Sequence, residues 1–446
     1  MEDQVPDVPL VFISNAYLEK KAQSVEQRSI LWEGYQRASL VSQEEVDLIK
    51  AIDKKSATEI QNVLNDKGVE TYVSLIFYLL KNLSRPDTIQ YVCLKTDEIL
   101  SANETNAQHF HNAASKDSSL PFEPFLKLLD NEDEFIALEA SKVLTLLACS
   151  APEPTTVDLS ALYVWITKKL AGNQNDIAEL AIQELESLLR ISQYRLPIWN
   201  TQNTVKELVH RLSVNKTAST PQIQYQIIFC LWLLTFEKEV AADINEKYDI
   251  IPLLVDIAKS AVKEKVIRVS IATLRNLVEL APSRNLATML VVKLLPFTEN
   301  LSARKWSDAD ILEDIDFVKE RLQEDFQSLT TFEQYASEVE TGKLEWSPPH
   351  KSDLFWKENA QKLEENNFHL LRTLARLLST SNSVLVLSVG ASDIGYYIKF
   401  ASTAGKNILQ EIGAKRRIME LMTHEDQEVR YHALMAVQKY MHQTSW

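Results

Sequence analysis

Apolar side chains recur at helical spacing along this chain, and one arrangement of them returns four times. A branched or large apolar residue is followed four positions on by a residue that is usually small, and four further on by another apolar one. The instances are Ile136, Ala140, Leu144; Ile177, Ala181, Leu185; Val266, Ser270, Leu274; and Val429, Ala433, Val437. Residues four apart lie on one face of a helix, and a small middle side chain lets a neighbouring helix come close. Shorter apolar helices are predicted ahead of three of these, at Phe125-Leu126-Lys127-Leu128-Leu129, Ile251-Pro252-Leu253-Leu254-Val255 and Ile418-Met419-Glu420-Leu421-Met422. Pro252 suits a first-turn position, where its missing N–H costs nothing.

Helix pairs of this kind cannot bury both faces alone, so each must lean on the next. The expected fold is therefore all-α, a solenoid of the HEAT or armadillo type at about 40 residues per unit. Ala272-Thr273-Leu274-Arg275-Asn276-Leu277 resembles the third helix of an armadillo repeat. With 8 glycines and 14 prolines in 446 residues, the chain lacks the punctuation that an all-β protein needs. The array is expected to break once. From Ser307 to Asp325 a densely acidic helix carries only a thin apolar stripe of Ile311, Ile315, Val318 and Leu322 and reads as a terminal helix. Thr330 with Glu333 then forms a capping-box signature that predicts a fresh helix. This gives an N-terminal domain over 1–325, a hinge over 326–330 and a C-terminal domain over 331–446. Inside the second domain Trp346-Ser347-Pro348-Pro349-His350 is expected to be an extended link, since proline disfavours helix in the residue before it.

Charge and cysteine content narrow the partners. The formal net charge is -15, which repels phosphate polymers and anionic lipid and argues against nucleic acid. All but one unit of that surplus precedes Thr330, so the two domains are expected to have different partners. Cys93, Cys149 and Cys230 are widely spaced, match no zinc or redox motif, and suit a reducing compartment as buried thiols. Met1 to Leu10 is acidic and contains Pro6 and Pro9, unlike a secretory signal. The most apolar run, Ile227 to Leu234, is too short to cross a bilayer, so any membrane association is expected through partners.

The search for chemistry finds no catalytic, cofactor-binding or metal-binding constellation. Gly390 and Gly395 have phosphate-loop spacing, but Tyr396 and Tyr397 stand where Lys and Ser or Thr are required, and helix packing is the favoured reading. The stretch Gly390 to Gly395 is one residue too long for a serine elbow, which disfavours Ser392 as a nucleophile. His109 and His111 read as solvated histidines in a polar connector, with no third ligand in view. His424, Glu425 and Asp426 head the last long helix, where acids suit the helix dipole. Phe229, Trp232 and Phe236 have helical spacing and are expected in the core. Lys415, Arg416 and Arg417 form a compact basic cluster, read as a solvated face or as a contact for an acidic partner.

Longer strings go further. His424 through Tyr431, continuing through Ala433-Leu434 and Ala436-Val437-Gln438-Lys439, resembles the last helix pair of the H-subunit family of V-type proton ATPases. Glu345-Trp346-Ser347-Pro348, His350-Lys351-Ser352, Phe355-Trp356, Glu358-Asn359-Ala360 and Asp393-Ile394-Gly395 are similar to the same family, as are Trp232-Leu233-Leu234 and Val262-Lys263-Glu264-Lys265-Val266. The resemblance spans about residues 30 to 446. It implies a right-handed armadillo-like superhelix joined to a smaller helical-repeat C-terminal domain, in a non-catalytic subunit that needs no cofactor and is not a homo-oligomer. The N-terminal domain would bind the peripheral stalk of E and G subunits and support hydrolysis. The C-terminal domain would contact the cytosolic part of the a subunit. On the detached soluble sector it would swing onto the catalytic-sector B subunit and the central rotor and stop hydrolysis. The implied inhibitory loop falls on Ser379, Thr380, Ser381, Asn382 and Ser383. The implied location is the cytoplasmic face of the vacuolar membrane, and the cytosol with the detached sector. A general armadillo cargo adaptor is the alternative, but apart from Asn276 no ladder of Trp and Asn pairs is visible.

Overall fold

Local signals start several of the helices. Ser42 with Glu45 and Ser56 with Glu59 close reciprocal capping boxes at the heads of two successive helices, satisfying backbone N–H groups that have no partner inside the helix. Pro86 and Pro282 sit in first turns. The computed structural model describes residues 13–153, 158–214, 221–308 and 310–443, so Met1 to Leu10 lies outside the described residues. The chain is 79% helical, and no strand occurs among the described residues. Two compact units emerge, the first ending at Lys319 and the second starting at Glu320.

In the first unit the long helices Pro86–Ala102, Glu134–Cys149, Asn175–Leu189, Pro221–Leu234 and Glu264–Leu280 pack one on the next. Shorter helices cover them: Phe122–Leu126, Ser160–Ala171 and Ile250–Ser260 each lie against the long helix that follows. The three four-spaced triplets of this unit are all buried at these junctions. Each fully buried Leu or Ile contributes about 1.5–3 kcal/mol of transfer free energy. Pro252 is the third residue of its helix, within the first turn as expected.

The stripe of Ile311, Ile315, Val318 and Leu322 is completely buried, and Arg275 reaches across to Asp314 at 2.5 Å and Glu313 at 3.3 Å. The expected helix start at Thr330 is not observed. One helix runs from Asp310 to Thr341, because no glycine or proline interrupts it before Gly342, whose φ of +71° ends it. A capping signature without a preceding breaker does not stop a helix.

The second unit is built on Asp353–Asn359, Glu365–Thr380, Val384–Phe400, Thr403–Glu411, Ala414–Leu421 and Gln427–Gln443. Its core gathers Tyr335, Leu344, Trp356, Leu374, Ile394 and Ala433, among others. The Trp346 to His350 stretch is only partly the extended link predicted. Ser347 is extended, but Pro348–Lys351 forms a 3-10 helix, for which the fixed proline φ is well suited. Helices 384–400 and 427–443 approach so closely that a Cβ on Gly395 would stand 2.9 Å from the Ala436 Cα. Gly390 and Gly395 are therefore packing glycines on one buried helix.

Candidate functional site

The five residues singled out as the loop are not all loop. Ser379 and Thr380 form the last turn of helix 365–380, where their hydroxyls donate back to the carbonyls of Ala375 (3.1 Å) and Arg376 (2.9 Å). Only Ser381, Asn382 and Ser383 lie between the helices. The Ser383 backbone N–H donates to Ser381 Oγ at 3.1 Å, and Ser383 Oγ caps the next helix at the Val386 N–H. The connection is short and held by its own hydroxyls. Directly after it Val384 and Leu385 are each 41% exposed, an apolar shoulder beside a polar turn.

The basic cluster lies next to this turn, a proximity the sequence does not reveal. Arg417 Nε donates to the Leu378 carbonyl at 2.9 Å, closing the end of helix 365–380. Its other guanidinium nitrogen reaches Glu420 at 3.2 Å. Arg417 is thus a fastener, whereas Arg416 is 88% exposed and pairs only with Glu420 of its own helix, at 3.2 Å. Lys415 stands over the Tyr440 ring at 4.3 Å. Of the three, Arg416 offers the freest charge to a partner.

The other sequence candidates resolve as follows. His109 and His111 are not in an irregular connector but on the helix Asn106–Asn112. The polar composition hid Ala107 and Phe110, which are buried. His111 lies 3.1 Å from Ser150 Oγ, and burial lowers its pKa below the ordinary value. Asp426 caps helix 427–443, its Oδ1 accepting from the N–H groups of Glu428 and Val429. Phe229 is buried, but Trp232 and Phe236 are half-buried, a correction to their placement in the core. They form a stripe with ring centroids 5.1 and 5.0 Å apart, and Arg190 and Arg195 cover Phe229 and Phe236 at 5.0 and 5.2 Å. Paired guanidinium groups close over these rings from neighbouring elements. Cys93 and Cys230 are buried, and burial pushes the Cys149 thiol up to about 12. Among the described residues no group of three or more His, Cys, Asp or Glu is placed to hold a metal, and no helix is long and apolar enough to cross a membrane.

Sequence reading missed a buried ionic clamp. His350 Nδ1 lies 2.9 and 2.8 Å from the two Asp393 oxygens, and its Nε2 lies 2.8 Å from Glu338 Oε2. His350 and Asp393 are wholly buried, and the Tyr335 ring stands 5.2 Å from the imidazole. Burial works against a charged ring, but the hydrogen bonds and charges of Asp393 and Glu338 outweigh it and raise the His350 pKa. Burial also pushes the Asp393 carboxyl up to about 6. The clamp ties helix 310–341, the 348–351 turn and helix 384–400 to one another. A signal for it was present: Asp393 is the lone acid in a largely apolar helix, and a buried carboxylate requires a partner.

Comparison with known proteins then decides the family. A family model for the V-ATPase H subunit, covering its N-terminal region, matches residues 16–322, and the C-terminal counterpart matches residues 328–446. The chain belongs to the V-ATPase H-subunit family. It is 37% identical to the V-type proton ATPase H subunit of Drosophila melanogaster, covering 96% of this chain and 90% of that protein. It is 31% identical to the probable V-type proton ATPase H subunit of Oryza sativa subsp. japonica, covering 95% of this chain and 97% of that one. Among solved structures, a designed armadillo repeat protein is 16% identical with a TM-score of 0.46, over 57% of this chain and 99% of that one. The H-subunit family is regulatory and non-catalytic.

Proposed function

We propose that this chain is the regulatory H subunit of a vacuolar proton-transporting ATPase, supporting hydrolysis and coupling it to proton transport in the assembled pump and arresting hydrolysis by the detached soluble sector. The observation that carries this reading is the match of two H-subunit family models to 16–322 and 328–446. A general cargo adaptor is not favoured by a family match of that extent.

In this reading the first unit, acidic and built of stacked helices, binds the peripheral stalk of E and G subunits. The second unit, nearly neutral, binds the cytosolic part of the a subunit in the working pump. In the detached sector it binds the catalytic-sector B subunit and the central rotor. The hinge at 326–330 lies inside the continuous helix 310–341, so swinging requires that helix to open locally there, at the edge of the 323–327 interval that neither family model covers. The chain works at the cytoplasmic face of the vacuolar membrane as part of the pump and stays with the detached sector in the cytosol. The brake contact is the segment 379–383, the last residues of helix 365–380 and the three-residue turn after it, with its apolar shoulder of Val384 and Leu385, and Arg417 fastens the end of that helix at Leu378. Lys415 and Arg416 add a secondary basic contact. A brake of this kind needs two docked states of similar free energy, so that detachment tips the balance.

The test adds the purified full chain to pump preparations depleted of their own copy. Proton transport by membranes should be restored and ATP hydrolysis by detached sectors should fall. Acidification that proceeds unchanged in cells without the chain refutes the reading.

A further inference from the structure

Single exposed apolar side chains are common on protein surfaces, but at one edge of the first unit the two most exposed large ones of the described residues stand together. Val262, in the loop between helix Ile250–Ser260 and helix Glu264–Leu280, is 93% exposed. Val291, the last residue of helix Pro282–Val291, is 79% exposed. Lys259 links the two loops. Its Nζ lies 3.5 Å from the Val292 carbonyl oxygen and 5.7 Å from the centre of the Phe297 ring. Residues 303–307 come to the same edge, because the Ser307 backbone N–H and Oγ donate to the two Glu264 carboxylate oxygens at 2.9 and 2.6 Å.

The charge of this edge is opposite to that of the chain. The segments 259–263 and 291–293 hold Lys259, Lys263 and Lys293 and no acid, and Arg304 and Lys305 lie on 303–307. All five are exposed, and among the described residues none of them has a carboxylate within ion-pair distance. The nearby acids are largely engaged: Glu264 is taken by Ser307, and Asp308 and Asp310 pair with Arg268. Lys265 turns to Gln222 and the Tyr225 ring. Asp256 and Glu299, exposed on the flanking helices, complete the set. Five cations face two acids, a local surplus of three in a molecule of net charge -15, and with the engaged groups counted the surplus is still two. Fields from distant acids fade over about 8 Å at physiological ionic strength, so at contact the lysines dominate. A nucleic acid has no use for two projecting valines, and a groove that seats an acidic peptide is concave, whereas these side chains stand out. An anionic bilayer uses both features, its headgroups taking the cations while small branched side chains enter the headgroup boundary. We propose that the Val262 and Val291 edge is a docking surface for an anionic lipid bilayer. It is a surface contact, with no helix crossing the membrane. Each cation near an anionic surface strengthens binding about fivefold, so five of them bring half-binding to lipid on the order of millimolar. That suits an auxiliary contact on a chain that partners also hold. The inference does not depend on the subunit reading: it supplies a lipid contact where that reading supplies protein ones.

The experiment measures cosedimentation of the purified full chain with millimolar lipid, as vesicles of phosphatidylcholine alone or with roughly one third phosphatidylserine. Wild type is compared with Lys263→Gln/Lys293→Gln, with Val262→Ser/Val291→Ser, and with a control pair elsewhere in the first unit, Lys20→Gln/Lys116→Gln. All six positions are exposed, and an unchanged thermal midpoint verifies folding. Wild type should bind the phosphatidylserine vesicles at least about tenfold better than the neutral ones and lose that preference in about 0.5 M salt. The paired Lys263 and Lys293 variant should bind about twenty-five-fold more weakly, the paired valine variant about fivefold more weakly, and the control pair like wild type. A polarity-sensitive fluorophore on Val262→Cys should report an apolar surrounding on the anionic vesicles. Equal binding to both vesicles, no binding to either, wild-type affinity in the Lys263 and Lys293 variant, or an equal loss in the control pair overturns the lipid surface. So does a photo-crosslinker at position 262 that captures an acidic protein segment and no lipid in pump membranes. None of these outcomes touches the subunit reading, which fails only on the hydrolysis and transport assays above.

Discussion

Replacing His350 with alanine removes the centre of the buried clamp and leaves Asp393 in the core of the second unit with no counter-ion. Breaking a buried ion pair from one side costs about 3–5 kcal/mol, because the remaining charge keeps its desolvation penalty. At about 1.4 kcal/mol for each factor of ten, local opening should become roughly 10² to 10³ times more frequent. Hydrogen exchange followed by mass spectrometry on the full chain reads this directly, since amides in helix 384–400 and in residues 332–341 report the unit that contains the clamp. Those amides should lose two to three orders of magnitude of protection at pH 7, while helix 264–280 in the first unit keeps its own. The effect has a definite pH sense. His350 is raised above its ordinary 6.5 and Asp393 is raised from 3.8 to about 6. Each folded-state value exceeds that of the unfolded chain, so the folded state holds the extra protons. The linked stability is complete below the unfolded values and is lost as pH climbs, first through about 6 for Asp393 and then through the raised value of His350. After correction for the intrinsic pH dependence of exchange, wild-type protection should fall on going from pH 6 to pH 8. A loss of less than about tenfold at pH 7, or protection that rises with pH, refutes the clamp.

Gly395→Ala should destabilise the second unit by about 1–3 kcal/mol, because the new methyl meets backbone at Ala436. Gly390→Ala should cost less, since it meets only side-chain ends, Leu378 at 3.1 Å and Leu344 at 3.7 Å; calorimetry of both variants checks the order. Glu184 is wholly buried, with one oxygen bound by Ser141 Oγ at 2.7 Å and the other without a partner, and burial pushes its pKa up to about 8. Wild-type stability in urea should therefore fall as pH rises through about 8, and Glu184→Gln should remove about 1–3 kcal/mol of that dependence. Introducing charge in the turn, as Ser381→Glu/Asn382→Glu, should leave stability within about 0.5 kcal/mol and weaken inhibition of detached sectors at least tenfold; undiminished inhibition sinks the brake assignment.

The stacked first unit was legible because its signal is periodic and repeats. Small residues at Ala140, Ala181 and Ser270 predict close helix junctions wherever they fall, and all three are buried. Legibility failed where a local pattern competed with longer context. Thr330 and Glu333 satisfy a capping rule, yet the absence of any breaker from Ser307 to Thr341 decided the outcome. The polar run around His109 hid a one-sided helix with Phe110 inward. The His350 to Asp393 contact joins residues 43 apart, and no periodicity encodes such a pairing. The 379–383 turn was located through family resemblance, but its attachment to Arg417 depends on a helix that packs beside it from later in the chain.

The raised pKa values of the three thiols, Cys93 and Cys230 buried and Cys149 half-buried, also bear on how the chain ages. Only the thiolate reacts readily with peroxide or disulfides, and a group with a pKa near 12 is ionised to roughly one part in 10⁵ at neutral pH. Burial raises Cys93 and Cys230 as well. Oxidation at cysteine is therefore slow in this chain, and the exposed thioethers of Met419 and Met441 are the sulfurs that peroxide reaches first.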